Sequence, residues 1–160
     1  MNYLWSPWRM VYILAEKSDE GCIFCNGLAQ VDGPENLIIH RGSNAFVILN
    51  RFPYTSGHLM IVPYEHQPSL ELLNPESRAD VMELAARSVQ VLEKLYSPQG
   101  FNLGMNIGAA AGAGVTEHIH LHVVPRWAGD TNFMSAVSQT RVLPELLEET
   151  FRRVKDAWQA

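Results

Sequence analysis

The order of elements along the chain predicts an α+β domain, with an antiparallel sheet of about five strands covered by helices. Two kinds of observation carry that expectation. Short apolar runs bounded by Gly, Pro, Asn and Ser mark strands at 36–40, 45–50, 58–62, 101–107 and from His118 onward. Apolar residues recur at helical spacing between Asn74 and Tyr96 and again between Pro144 and Trp158. No repeat and no interdomain linker interrupts the order, so residues 1–160 read as one domain.

Each element has its own sequence logic. Residues 1–20 crowd Tyr3, Leu4, Trp5, Trp8, Met10, Val11, Tyr12 and Ile13 into an aromatic arm, which needs the domain or a partner subunit to cover it. Cys22 to Cys25 follows in a turn-like segment. Asn36–His40 and Ala45–Asn50 form a hairpin around Gly42 and Ser43. A third strand, His58–Val62, enters at Ser56-Gly57 and leaves at Pro63. Asn74-Pro75-Glu76 supplies an N-cap, a first-turn proline and an acid at the positive end of the dipole. The helix they open buries Val81, Leu84, Ala85, Val89 and Leu92 and stops at Ser97-Pro98-Gln99-Gly100. Phe101–Ile107 is the fourth strand, and the Gly/Ala segment 108–114 leads into the fifth. The last helix carries Leu146, Leu147, Phe151, Val154 and Trp158 as its buried stripe.

Composition narrows the function. The chain is 47% apolar and 18% charged, ordinary for a globular protein of 160 residues. A formal charge of −5 and a pI near 5.6 argue against a nucleic-acid partner, whose backbone calls for a basic face. No signal peptide or membrane span is visible, and a cytoplasmic location is expected.

In a reducing compartment the only two cysteines, Cys22 and Cys25, read as half of a metal site or as a redox dithiol. Without a second such pair, a four-ligand site would need two histidines. His66 and His40 both qualify, and spacing does not choose between them.

The richest stretch is His118-Ile119-His120-Leu121-His122. On a strand, alternate side chains share a face, so the imidazoles would form a row roughly 6 to 7 Å apart while Ile119, Leu121 and Val123 enter the core. Histidine has no strand propensity that would favour its repetition, so a merely polar face is a poor account. Imidazole serves equally as zinc ligand, nucleophile or proton donor, and the motif alone leaves these uses open. The preceding Gly108–Gly114 loop is small enough to bring backbone amides close to phosphate. No Gly-Lys-Ser/Thr follows it, which excludes a P-loop.

Together, Asn50 to Pro63 and Gly112 to Arg126 resemble the histidine triad (HIT) superfamily. Leu4-Trp5-Ser6-Pro7-Trp8-Arg9-Met10, Asn50-Arg51-Phe52-Pro53-Tyr54 and Pro125 to Phe133 are most similar to its bacterial branch related to diadenosine tetraphosphate phosphorylases. The resemblance implies a HIT-like fold with a central and a C-terminal helix, its sheet extended across a homodimer. It implies that His120 is the nucleophile at the α-phosphorus and that His122 contacts the phosphate. Asn50 falls at a ribose contact, and Asn106 where an amide approaches the phosphate. Gly112, Gly114 and Thr116 fall in the phosphate-holding loop. His58, by its own place at the start of a strand, is a further candidate for the site. Cys22, Cys25, His66 and His118 correspond to a structural zinc site. One departure is the loop Gly112-Ala113-Gly114-Val115, which lacks the polar residue typical of hydrolase members and leaves room for inorganic phosphate.

The expected activity is therefore nucleotidyl transfer from a dinucleoside polyphosphate through a nucleotidyl-histidine, with phosphorolysis favoured over hydrolysis. Mg2+ would ride on the polyphosphate, and phosphate or water would be the acceptor. The competing readings are a HIT hydrolase of nucleoside phosphoramidates or other conjugates, a hydrolase whose triad binds catalytic zinc, and a nucleotide-binding regulator with vestigial catalysis.

Overall fold

The structure is a computed structural model that describes residues 21–130 and 145–160. The aromatic arm of residues 1–20 and Pro144 lie outside the described residues. Five strands, β1 (Ile38–Arg41), β2 (Ala45–Leu49), β3 (Leu59–Pro63), β4 (Gly100–Met105) and β5 (Leu121–Arg126), form one antiparallel sheet in the order β1-β2-β3-β5-β4. Helix α1 (Ile23–Leu28) precedes the sheet, α2 (Pro75–Tyr96) connects β3 to β4, and α3 (Leu147–Gln159) closes the chain. No described helix is long and apolar enough to cross a membrane.

The sheet divides the core in two because successive side chains on a strand face opposite sides. Val47, Leu49, Leu59, Ile61, Leu121 and Val123 pack beneath Val81, Leu84, Leu92, Phe151, Val154 and Trp158 of α2 and α3. The other face carries a smaller cluster of Ile38, Phe46, Met60 and Val62, on which Phe24 of α1 sits. His122 pairs with Met60 of β3 and with Gly104 of β4, so it belongs to this second face.

Helix α2 begins as its sequence predicts: the Asn74 side chain accepts the Ser77 amide proton at 2.7 Å, with Pro75 in the first turn. It ends at Ser97, which adopts a left-handed conformation. Asp80 on α2 accepts the amide protons of Asn44 and Ala45, tying the helix to the β1–β2 turn.

Several boundaries differ from expectation. Cys22 to Cys25 is the start of a short helix capped by Cys22, rather than a turn. β1 starts at Ile38 because Asn36 bonds the Gly33 and Ile38 amides and the Gly27 carbonyl, closing the loop before the strand. β5 starts only at Leu121. The Ile119 amide bonds the Gln67 carbonyl outside the sheet ladder, so His118 and His120 precede the strand they were assigned to.

Candidate active site and metal cluster

The approach to β5 brings His118, His120 and His122 to the same side of the sheet, but not as one uniform row. His120 and His122 meet edge to face with ring centroids 4.8 Å apart. His118 instead meets His66 at 4.9 Å, and Phe24 packs against both His118 and His120. The stretch thus serves two sites, one at each end.

At the first site, the ligand atoms of Cys22, Cys25, His66 and His118 all lie within 4.8 Å of one another. Cys22 Sγ is 3.3 Å from His118 Nδ1, Cys25 Sγ is 3.3 Å from His66 Nδ1, and Cys25 Sγ is 3.7 Å from His118 Nδ1. Tetrahedral bonds of about 2.3 Å to sulfur and about 2.0 Å to nitrogen place those atoms about 3.5 Å apart, so the four residues fit zinc. His118 Nε2 donates to the Pro63 carbonyl at 2.9 Å, which leaves Nδ1 unprotonated and aimed at the cluster. Burial pushes the His118 imidazole below the usual histidine range, favouring the neutral form a metal ligand requires. Burial and the neighbouring Cys22 raise the Cys25 thiol, so a metal entering here must displace protons. His40 is elsewhere: it stacks on Trp158 at 5.3 Å, on the face covered by α3.

At the second site, a chain of hydrogen bonds orders the rings. His120 Nδ1 donates to the His118 carbonyl at 3.0 Å, so its lone pair is on Nε2. Burial lowers the His120 pKa, partly offset by that bond, and keeps the ring neutral near pH 7. His58 is wholly buried and bonds His122 Nδ1 through Nε2 at 2.9 Å. The Tyr54 amide donates to His58 Nδ1 at 3.1 Å.

Of the other candidate residues, Asn50 contacts His58 directly. Asn50 Nδ2 lies 3.3 and 3.4 Å from the two ring nitrogens of His58, while its Oδ1 accepts the Phe52 amide proton. Asn50 therefore shapes the turn as well as bordering the site. Asn106 directly follows β4, whose last ladder pair sets Met105 against Leu121. Gly112 has φ +89°, as a residue without Cβ allows, and Thr116 Oγ1 donates to Glu117.

The loop uses several of its own amides. The amides of Ala111, Gly112 and Ala113 bond carbonyls of Gly108 and Ala109, so these three are spent inside the loop rather than turned toward an anion. Sequence reasoning also missed Phe24 and Tyr54. Phe24 looks like any core residue, and Tyr54 is marked only by standing four residues before His58.

Comparison with known proteins agrees with this geometry. The HIT domain family pattern matches residues 33–129. The chain is 38% identical to AP-4-A phosphorylase of Mycobacterium tuberculosis, with 99% of this chain and 85% of that protein covered. It is 30% identical to the asymmetrical bis(5'-nucleosyl)-tetraphosphatase of Schizosaccharomyces pombe over 58% of this chain and 50% of that one. A Zn-bound histidine triad family protein from Mycobacterium smegmatis superposes with a TM-score of 0.69 at 30% identity, covering 87% of this chain and 94% of that one. With its sheet, its ordered histidines and its similarity over nearly the whole length, the chain belongs to the HIT domain family.

Proposed function

We propose that this enzyme cleaves dinucleoside polyphosphates such as diadenosine tetraphosphate at the α-phosphate, through a nucleotidyl group carried on His120. The observation that carries this reading is the His120 ring. Its Nδ1 proton is engaged by the His118 carbonyl, which leaves the lone pair on Nε2, burial keeps it neutral, and the ring meets that of His122 edge to face. Nε2 attacks the α-phosphorus, the bond to the bridging oxygen breaks, and ATP leaves. An acceptor oxygen then displaces His120 Nε2 from phosphorus. One nitrogen nucleophile thus serves both halves of the reaction.

The charge that develops on the phosphoryl oxygens is met by His122 Nε2–H, with Asn106, Gly112, Gly114 and Thr116 around the phosphate and Asn50 at the ribose. Mg2+ enters only as the counterion of the polyphosphate. Cys22, Cys25, His66 and His118 hold a structural Zn2+ that steadies the segment presenting His120, through the His118 carbonyl. Two chains join as a homodimer through the β4 edge.

Inorganic phosphate is the favoured acceptor, a reading supported by the similarity to AP-4-A phosphorylase along nearly the whole chain. The internal use of three loop amides favours water instead, because it leaves fewer donors for a second anion. Incubation with diadenosine tetraphosphate in millimolar phosphate decides: ADP plus ATP marks phosphorolysis, and AMP plus ATP marks hydrolysis. Acid-labile labelling of His120 from an α-32P substrate tests the intermediate, and its absence under single turnover would overturn it.

A further inference from the structure

We propose that Tyr54 is a positioning residue whose backbone amide fixes the tautomers of His58 and His122, and so makes His122 a neutral Nε2–H donor. The inference rests on the functional reading above for its catalytic consequence, but not for its structural content.

The chain of donors runs in one direction. The Tyr54 N–H donates to His58 Nδ1 at 3.1 Å, and Asn50 Nδ2 stands as a weaker second donor 3.3 Å from the same nitrogen, so the neutral His58 ring must carry its proton on Nε2. That Nε2–H donates to His122 Nδ1 at 2.9 Å, which places the His122 proton on Nε2 in turn. The first link is a peptide amide, which neither titrates nor reverses. A carboxylate in its place would accept a proton from His58 Nδ1 and invert every later tautomer. With the amide there, a proton added to His122 Nδ1 would face the His58 Nε2–H. The arrangement therefore opposes an imidazolium at His122 and keeps the ring a neutral hydrogen-bond donor.

The Tyr54 side chain holds the amide in register. Its ring lies 4.6 Å from that of His58 and 6.0 Å from that of His122, nearly parallel to the latter at 24°. Tyr54 thus presses on both imidazoles while its own amide orients the first. Pro53 before it fixes one backbone torsion at the entry to the turn. Immediately before His58, Gly57 has φ +80°, and a Cβ there would lie 3.0 Å from Leu92, so the turn is seated directly on α2.

The experiment replaces residue 54 by the α-hydroxy acid of tyrosine, exchanging the amide N–H for an ester oxygen and leaving the ring in place. Ring 15N shifts of His58 and His122 are then read at neutral pH in the full chain. In the unsubstituted protein His122 should show an unprotonated Nδ1 and a protonated Nε2. In the ester, with only the longer Asn50 contact left at His58 Nδ1, both histidines should shift toward the opposite tautomers, and kcat on diadenosine tetraphosphate should fall about tenfold or more with KM within about threefold, as for partial loss of one donor to the reacting oxygens. Tyr54→Phe should keep the tautomers, and Tyr54→Ala should mix them. An Nδ1–H tautomer or an imidazolium at His122 in the unsubstituted protein overturns the proposal, as do unchanged shifts in the ester. If the shifts behave as stated but no variant or parent cleaves the substrate, the tautomer assignment stands and the functional reading fails.

Discussion

The Nδ1 proton of His120 is held by the carbonyl of a residue that also belongs to the cysteine cluster, so one backbone segment serves metal binding and nucleophile orientation. His120→Asn should leave a folded protein that still binds nucleotide but turns over several orders of magnitude more slowly. Retention of more than about a tenth of kcat, a loss of about 1.4 kcal/mol, would exclude the nucleophile role. The pH dependence follows from the same ring. Burial lowers its pKa from the ordinary 6.5, and the attacking form is neutral, so activity should persist as the pH falls through 6.5. The acid limb of kcat/KM should therefore have its midpoint below 6.5, and a midpoint above that value would contradict the burial account.

Among the elements, α1 is short and is fixed from outside itself, through Phe24 on the sheet and the two cysteines beside His66 and His118. The double variant Cys22→Ser/Cys25→Ser should lose its one zinc per chain, measured by elemental analysis, and melt lower by about 5 °C or more, because binding to a closed site contributes to folding. A variant that keeps one equivalent of zinc would refute the ligand assignment.

Just before α3, Glu145 accepts bonds from Tyr96, Thr150 and Arg153, joining α3 to α2. Burial works to raise its pKa, but the bonds from Thr150, Tyr96 and Arg153 prevail and hold it low. The folded pKa lies below the unfolded value of 4.5, so the stabilisation is present above 4.5 and lost as pH falls through the folded pKa. Glu145→Gln should cost about 1 to 2 kcal/mol at pH 7 and much less at pH 3, compared by urea unfolding. An equal cost at both values would show that the charge is irrelevant.

At the scale of the whole molecule, β4 is an edge strand among the described residues, with Leu103 on that strand 44% exposed and Ile107 just beyond it 46% exposed. An unpaired edge with apolar side chains is a surface that proteins cover. Sedimentation should give twice the 18.0 kDa chain mass at micromolar concentration, and Leu103→Lys should shift it toward the monomer. A monomeric parent protein would refute the homodimer.

Local information was enough for the strands, the Asn74 cap and both long helices, because alternation, helical spacing and capping chemistry are properties of neighbouring residues. The family and the pairing of His120 with His122 were also legible, since they lie in one contiguous segment. Only the tertiary structure brings His66, and not His40, to the cysteines. Both are histidines at a plausible distance along the chain, and only the β1 pleat turns His40 onto Trp158, away from the cysteines. The start of the last strand only after His120 was decided by the Gln67 carbonyl, more than 50 residues earlier, which takes the Ile119 amide out of the ladder. Tyr54 and Phe24 gained their places in the same way, by contacts across the fold that no local pattern encodes. Periodicity determines which face a residue takes, whereas a site depends on which distant groups the packed sheet brings against that face.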